Sequence, residues 1–273
     1  MPADQRSDGQ TLFGLDAAAY AAGRPGYPTA LFDLLAERCG LGPGTATFEI
    51  GPGTGQATVE VLRRGASPLV AIEPDPGLAA WLAGQSLADR DVLTVVQQPF
   101  EQADLPHGSF DLGVAATAFH WLDQPTALRK VGSLLRPGGW WAMWWNIHGD
   151  ALGDDPFHNA TRHLLDGPDA PEPDLPFALR TDSRLADLGD SAAFDLIESE
   201  LLRWTLTLDA DGIAALYQTF SPVIRRPDAE RDALIRDLRR VVEDEFGGVV
   251  HRPMLTPVYL ARRTGCRAAA VVP

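Results

Sequence analysis

Short apolar runs alternate with amphipathic stretches through the first half of the chain. Apolar runs of about four to eight residues favour buried strands, and apolar residues at helical spacing favour helices. The runs that predict strands are residues 47–50, 69–73, 92–96, 110–116 and 140–145. The stretches that predict helices are residues 15–22, 29–39, 56–64, 77–83 and 124–135. Strands that alternate with helices in this way predict a parallel sheet that is covered by helices.

The pattern changes after residue 146. Residues 149–190 are rich in glycine, proline and aspartate and hold one helical patch at 157–165, which favours an insertion or lid. The elements predicted beyond it are strands at 194–206 and 256–262 and helices at 209–220 and 228–246. The second half therefore completes the sheet rather than repeating the alternation of the first.

Three glycines at alternate positions follow the first predicted strand, in the segment E-I-G-P-G-T-G at residues 49–55. Glycine is needed where the backbone takes a positive φ or where a ligand approaches closer than a Cβ permits. Such a turn at the carboxyl end of a strand is where open α/β sheets bind nucleotide-like ligands. The spacing does not fit the dinucleotide fingerprint G-x-G-x-x-G, because Gln56 stands where the third glycine belongs. A nicotinamide-dependent oxidoreductase is therefore disfavoured.

The E-I-G-P-G-T-G segment resembles the first motif of class I S-adenosylmethionine (SAM)-dependent methyltransferases, in particular the small-molecule, methyltransferase type 11-like subgroup. Residues 71–76 (A-I-E-P-D-P) match the second motif, and residues 109–112 (S-F-D-L) and 135–139 (L-R-P-G-G) are typical of the family. The resemblance is strongest over residues 13–146. It implies an α/β fold, with a Rossmann-like, doubly wound, seven-stranded and mostly parallel sheet that ends in an antiparallel hairpin.

The resemblance also implies the cofactor, SAM, which leaves as S-adenosyl-L-homocysteine (SAH). Glu73 ends the second strand about 20 residues after the glycine loop, where an acid accepts hydrogen bonds from ribose hydroxyls. Phe100 and Glu101 correspond to the pair that packs on and accepts from adenine. Tyr20 and Arg24, in the segment Y-x-x-x-R-P-G-Y-P, would lie near the methionine carboxylate. The expected cofactor-binding residues are Tyr20, Arg24, Glu49, Gly51, Gly53, Gly55, Glu73, Pro74, Phe100, Glu101, Thr117 and Trp121.

A histidine–tryptophan pair at residues 120–121 follows the fourth predicted strand, on the edge where ligands bind. Methyl transfer needs a base only when the nucleophile must lose a proton, and an imidazole accepts one near neutral pH. His120 is therefore a candidate base, with pocket shaping or a hydrogen bond to the substrate as the favoured alternative. Trp145, Asn146 and His148 follow the fifth strand and are candidate substrate contacts. His158 and His163 have no third partner at metal-ligand spacing, so no metal site is predicted.

The charge and cysteine content limit the classes of partner and the cellular compartment that we expect for the chain. The formal net charge of −14 disfavours nucleic acid, whose phosphates require clustered lysine and arginine. Cys39 and Cys266 match no metal or redox spacing, which predicts reduced thiols in a cytoplasmic protein. The polar N-terminus lacks the apolar core of a signal peptide, and the apolar stretch at 140–147 is too short to span a bilayer. The expected partner is a small-molecule substrate, bound by a monomer or homodimer without nucleic acid or membrane.

A single methyltransferase domain over residues 1–273 is the predicted organisation. Its predicted parts are an N-terminal helical leader at 1–40 that caps the sheet, a SAM-binding core at 41–148, an insertion or lid at 149–193, and C-terminal strands and helices at 194–273. The expected activity is transfer of a methyl group from SAM to an oxygen, nitrogen or carbon nucleophile of a small molecule. The alternative is a SAM-binding protein of the same fold that catalyses a non-methylating step.

Overall fold

The computed structural model describes residues 16–85, 91–165 and 174–265, and within them one eight-stranded sheet organises the chain. The strands run in the spatial order β3-β2-β1-β4-β5-β8, and both β6 and β7 also pair with β8. Their bounds are β1 Thr47–Ile50, β2 Leu69–Ile72, β3 Leu93–Val96, β4 Phe110–Ala116, β5 Leu135–Trp144, β6 Ile147–His148, β7 Phe194–Asp209 and β8 Val249–Arg263.

Helices cover both faces of the sheet. Their bounds are α1 Ala17–Gly23, α2 Thr29–Cys39, α3 Gln56–Arg63, α4 Pro76–Gly84, α5 Gln124–Leu134, α6 Pro156–Leu165, α7 Thr181–Asp190, α8 Ala210–Tyr217, α9 Ser221–Ile224 and α10 Asp228–Phe246. Two short 3₁₀ turns, at Phe119–Trp121 and Phe177–Leu179, interrupt the connections. None of the described helices combines the length and apolar character that a bilayer crossing requires.

The predicted parallel core is confirmed. All four residues of β1 are buried, and the strand pairs in parallel with β2 on one side and β4 on the other. This burial on both faces explains why the first strands are continuous apolar runs rather than alternating ones. One face packs around Phe48 and Trp141, and the other around Phe32 and Trp144.

The predicted antiparallel end of the sheet is also confirmed, but its strands are longer than the pattern indicates. β7 and β8 pair from Phe194↔Arg263 to Asp209↔Val249, beyond the predicted 194–206 and 256–262. Charged side chains point outward along β7, and Pro253 lies within β8, so composition hides the strand ends. The expected seven strands become eight because the two-residue β6 pairs with β8 at Leu255 and Met254.

The segment predicted to be an insertion or lid with one helical patch holds two helices among its described residues. α6 agrees with the predicted helical patch, whereas α7 lies in sequence that is rich in aspartate and glycine. Leu188 packs α7 against the face of the sheet that contains Phe48 and Trp141, and the Arg184 guanidinium carbon lies 3.6 Å from the Phe177 ring centroid. Tertiary packing therefore orders a helix whose own sequence pattern is weak.

Two further predictions have different outcomes. The helix predicted from residue 209 begins where expected, because Asp209 accepts from the backbone N–H of Gly212 and so caps α8. The helix predicted at 209–220 stops at Tyr217, because Pro222 starts the separate turn α9.

Cys39 is a buried free thiol whose pKa burial raises to about 12, and Cys266 lies outside the described residues.

Candidate active site

A cavity of about 560 Å³ opens at the carboxyl ends of the central strands, under the leader. Most of the predicted site residues line it. Those that do are Tyr20, Arg24, Gly51, Gly53, Glu73, Pro74, Phe100, Glu101, Thr117, His120, Trp121, Asn146 and His148. Glu49, Gly55 and Trp145 do not. The volume is in the range of small-ligand sites.

The sheet order divides the cavity wall into two parts. The part at the ends of β1, β2 and β3 comprises the glycine loop 51–55, Glu73 and residues 100–101, and we call it the glycine half. The part at the ends of β4 and β5, with the leader, comprises Arg24, Tyr27, His120, Asn146 and His148. We call it the histidine half.

The glycine loop requires glycine for two different reasons. Gly51 and Gly53 both have left-handed backbones, with φ of 62° and 59°. A Cβ at Gly51 would stand 2.6 Å from the Cβ of Ala118, so the loop packs too closely for any side chain there. A Cβ at Gly53 would meet no atom within 4 Å, because that position faces the open cavity. Gly53 therefore leaves room for a ligand rather than for the protein.

Glu73 fastens the glycine loop to the end of β2. Its Oε2 accepts a hydrogen bond from the backbone N–H of Gly53 at 3.0 Å, and its Oε1 accepts from that of Asp75 at 3.0 Å. Burial raises the pKa of Glu73 to about 7, although the two backbone hydrogen bonds lower it. The carboxyl group thus holds the loop and still borders the cavity.

Glu49 lies behind the loop rather than in the cavity wall. Its side chain is fully buried, and Oε2 accepts from the Thr58 hydroxyl at 2.7 Å, which ties β1 to α3. Burial raises the pKa of Glu49 to about 7, with the Thr58 hydrogen bond opposing and the charge of Glu73 adding to the rise. Glu49, the acid that precedes the glycines, therefore supports the scaffold of the loop.

The loop after β3 is held by Lys130, the single lysine of the chain. Its amino group donates to the carbonyls of Phe100, Glu101 and Ala103 at 2.7, 3.1 and 2.5 Å. Phe100 is 2% exposed and stacks on Phe48 with ring centroids 6.3 Å apart. Sequence reasoning assigns no role to Lys130, because its partners are backbone oxygens some 30 positions away.

His120 has a tautomer that its neighbour dictates. The indole Nε1–H of Trp145 donates to His120 Nδ1 at 3.0 Å. An indole can only donate, so Nδ1 carries no proton and the neutral ring holds its proton on Nε2. Burial lowers the pKa of His120 to about 4. His120 is therefore a neutral hydrogen-bond donor at pH 7, which favours substrate contact over the role of base, and Trp145 orients it from outside the cavity.

Thr117 is the strained residue of the site. It is β-branched, yet its φ is 58°, a conformation that costs about 1–3 kcal/mol and often marks function. Its hydroxyl lies 3.0 Å from the Tyr27 hydroxyl, and its backbone N–H donates to the carbonyl of Trp144 at 2.7 Å. Burial raises the pKa of Tyr27 well above its usual value, so the Tyr27–Thr117 pair is neutral. The leader thus rests on the end of β4.

Asn146 connects the leader to the last hairpin. The Trp204 indole donates to Thr256 Oγ1 at 2.9 Å, and Thr256 then donates to Asn146 Oδ1 at 2.9 Å. Asn146 Nδ2 donates in turn to the carbonyl of Gly26 at 2.9 Å. These hydrogen bonds engage both the oxygen and the nitrogen of the Asn146 amide and fix its orientation, although the sequence predicts that this amide contacts the substrate.

Arg24 gives the histidine half a cationic end, with His148 nearby. Arg24 donates to the carbonyl of Thr219 at 3.1 Å, and its guanidinium carbon lies 5.0 Å from the Phe220 ring centroid. Among the described residues no carboxylate forms an ion pair with Arg24. Burial, with the charges of Arg24 and Arg252, lowers the pKa of His148 to about 3.

Metal ligands do not gather at this site. Within the described ranges, no group of three or more histidine, cysteine, aspartate or glutamate side chains is arranged to hold a metal ion. His163 is exposed on α6, away from the cavity.

Comparison with known proteins gives a match at the centre of the chain. Residues 48–143 match the family model of a methyltransferase domain. An uncharacterized methyltransferase of Mycobacterium tuberculosis is 32% identical over 150 residues, which cover 54% of this chain and 57% of that protein. The match therefore spans little more than half the length of that relative.

Solved structures agree with the whole architecture. A protein of Anaeromyxobacter dehalogenans, described as a type II methyltransferase, aligns with a TM-score of 0.59 and 23% identity over 89% of this chain and 97% of its own. The phosphoethanolamine N-methyltransferase 2 of Haemonchus contortus, bound to SAH and phosphomonomethylethanolamine, aligns with a TM-score of 0.57 and 11% identity. That alignment covers 97% of this chain and 60% of the other. At these identities the likeness shows the fold.

Proposed function

We propose that the whole chain transfers a methyl group from SAM to an oxygen, nitrogen or carbon nucleophile of a small molecule, a proposal supported by the match of residues 48–143 to the methyltransferase domain family model. The contact between Gly53 and Glu73 at the cavity wall is the main support for this proposal. An open left-handed glycine and a buried strand-end carboxylate are joined by a 3.0 Å hydrogen bond at the cavity wall.

The glycine half fits the adenosine part of SAM. Each oxygen of Glu73 accepts one backbone N–H, and a carboxylate has about four acceptor positions, so lone pairs remain for two ribose hydroxyls. The space beside Gly53 is free of protein atoms. Phe100 and Glu101, fixed by Lys130, would border the adenine, and Tyr20 and Arg24 would face the methionine carboxylate from the leader.

The bound cofactor would supply a methyl group already attached to a good leaving group. The residues of the chain would then bind, align and exclude water, which are the main demands of an in-line displacement. The leader contributes the exclusion through three contacts: Tyr27 with Thr117, Gly26 with Asn146, and Arg24 with Thr219. His120 would orient the acceptor with its Nε2–H.

Calorimetry of the full chain with SAM, SAH and NAD tests the cofactor. SAM and SAH should bind and NAD should not, and failure of SAM to bind at millimolar concentration would contradict the proposal. SAM with a labelled methyl group then tests the reaction in the presence of candidate acceptors. Label that stays on bound SAM while an acceptor is chemically changed would favour the non-methylating alternative.

A further inference from the structure

Charge is distributed unevenly around the cavity. The acids of the glycine half, Glu73 and Glu101, lie at the ends of β2 and β3. A third acid in the wall, Asp123, accepts from the backbone N–H of Thr126 as the cap of α5. Asp123 follows β4 and so belongs to the histidine half, where its carboxylate is engaged as this cap. Apart from Asp123, the described residues of this half that line the cavity include no carboxylate, and Arg24 supplies the positive charge.

Cofactor binding would give this half a positive balance. SAM carries a sulfonium, an ammonium and one carboxylate, and therefore has a net charge of about +1 near neutral pH. Arg24 and bound SAM together carry about +2, and Asp123 offsets one of these charges, so the histidine half keeps a net positive charge. Because charges in an enclosed cavity are weakly screened, an anion is the ligand that this half favours.

Apart from Asp123, whose carboxylate caps α5, the histidine half has no group suited to removing a proton. His120 Nδ1 is occupied by the Trp145 indole, so its free ring nitrogen donates. His148 is neutral at pH 7, and its ring lies 5.2 Å from Phe220. The Tyr27 hydroxyl is paired with Thr117. An amine or a phenol, with a pKa near 10, would arrive protonated and find no base here, whereas a carboxylic acid, with a pKa near 4, arrives ionised.

We infer that the acceptor is a small organic carboxylate, held by the Nε2–H of His120 in the positive field of Arg24, and that the product is its methyl ester. The inference rests on the proposed function, which it narrows to one substrate class.

The reaction balances without any proton transfer. A lone pair on the carboxylate oxygen forms the new bond to the methyl carbon, and the carbon–sulfur bond breaks with its electrons passing to sulfur. The sulfonium charge and the carboxylate charge disappear together, giving a neutral ester and a neutral thioether. A cavity that is closed by the leader favours such a step, since separated charges become neutral as water is excluded.

Binding to the SAH-loaded full chain provides the first test. Matched pairs of probes differ only in charge: benzoate with benzamide, and cyclohexanecarboxylate with cyclohexanecarboxamide. Calorimetry at saturating SAH should show each carboxylate binding at least about tenfold more tightly than its amide, the scale of one charge-assisted hydrogen bond. Equal affinities, no binding by either member, or tighter binding of benzylamine would overturn the inference.

Two variants and a control connect that ratio to the named residues. His120→Phe removes the donor and Arg24→Met removes the positive charge, so each should reduce the carboxylate-to-amide ratio about fivefold or more at saturating SAH. Arg129→Met removes an exposed arginine on α5 that contacts Thr126 and should leave the ratio unchanged. A ratio that survives both cavity variants would contradict the assignment.

Product chemistry separates failure of the inference from failure of the proposed function. With labelled SAM and the carboxylate probes, label should appear in a product that releases methanol under mild base, as methyl esters do. Label in a base-stable product made from benzylamine or phenol would overturn the carboxylate inference and leave the methyltransferase proposal standing. Absence of SAM and SAH binding would remove both.

Discussion

The two halves of the cavity are built in different ways. The glycine half is made by backbone and by partners close in sequence, as in the Gly53–Glu73 bond between residues 20 apart. The histidine half is made by side chains from distant segments, with Tyr27 and Thr117 90 residues apart and Gly26 and Asn146 120 apart. A local unit can keep its geometry while its surroundings vary. The histidine half, by contrast, depends on how leader, sheet and last hairpin pack together.

This difference suits the two ligands of the proposed methyltransferase, SAM and its acceptor. A cofactor that many enzymes share can be bound by the same strand–turn–helix unit in each of them, whereas each acceptor requires a different binding surface. Variants of the glycine half should therefore alter cofactor affinity, and variants of the histidine half should alter acceptor recognition, with Arg24, which faces both ligands, as the exception.

The largest effect is expected from Gly53→Val. A valine side chain would occupy the open space beside the glycine loop, so SAM affinity should fall by more than about a hundredfold. Gly40→Val is the matched control, because Gly40 also has a positive φ of 72° and an unobstructed Cβ position but lies at the end of α2. Calorimetry should show SAM binding by the control at nearly native affinity, while both variants lose similar stability in thermal melts.

Equal loss of SAM binding by both glycine variants would mean that backbone strain, and not the filled space, disrupts the site. The open space beside Gly53 would then not be the position that SAM occupies.

The second effect concerns Glu73→Gln. Loss of the charge on an acceptor of two hydroxyl groups should weaken SAM by about 1–3 kcal/mol, or about 5- to 150-fold above pH 7. Because burial raises the pKa of Glu73 to about 7 and hydroxyl donors favour its ionised form, SAM affinity should rise as pH increases through 7. The rise should vanish in Glu73→Gln and persist in Glu49→Gln, whose residue does not reach the cavity. Titrations from pH 5.5 to 8.5 measure it.

Stability should show the opposite trend with pH. In the folded chain, burial raises the pKa of Glu49 and Glu73 from an ordinary 4.5 to about 7. Between these values the folded state binds more protons than the unfolded state, so the contribution of each group to stability falls as pH rises. Melts of the ligand-free Glu49→Gln variant should therefore decline less from pH 5 to pH 8 than those of the native chain. An equal decline would contradict the burial of Glu49.

The difference between the glycine half and the histidine half also explains which parts of the fold and the site the sequence predicts. The glycine spacing, the acid after β2 and the apolar strand runs are local signals, and they predict the sheet, the cofactor and the glycine half. The sequence predicts that Glu49 and Asn146 contact ligands. Their hydrogen bonds to Thr58, Thr256 and Gly26 depend on tertiary packing, which the sequence pattern does not show. α7 is hidden for the same reason, since its burial against the core and not its composition makes it helical.

Lys130→Met should give a smaller effect, confined to the glycine half. The methionine leaves three carbonyls of residues 100–103 without their shared donor, so the loop loosens and SAM binds about five- to tenfold more weakly. Lys130→Arg should restore part of the affinity, and Arg129→Met on the same helix should have no effect. Carboxylate affinity at saturating SAH should not change, and a change there would mean that the two halves are coupled through α5.

The smallest effect is expected from Trp145→Phe, which acts on the histidine half from outside it. Without the indole donor, His120 Nδ1 is free to take the ring proton, and both neutral tautomers should appear in ¹⁵N spectra where the native chain shows the Nε2–H form alone. Turnover should fall by about two- to fivefold, since part of the population then lacks the donor that faces the acceptor. Trp144→Phe is the control, because that indole packs against Tyr27 and Phe32 and not against His120. A native spectrum that already shows the Nδ1–H tautomer would contradict the donor role, and a turnover that rises with pH from 6 to 8 at saturating SAM would restore His120 as a base.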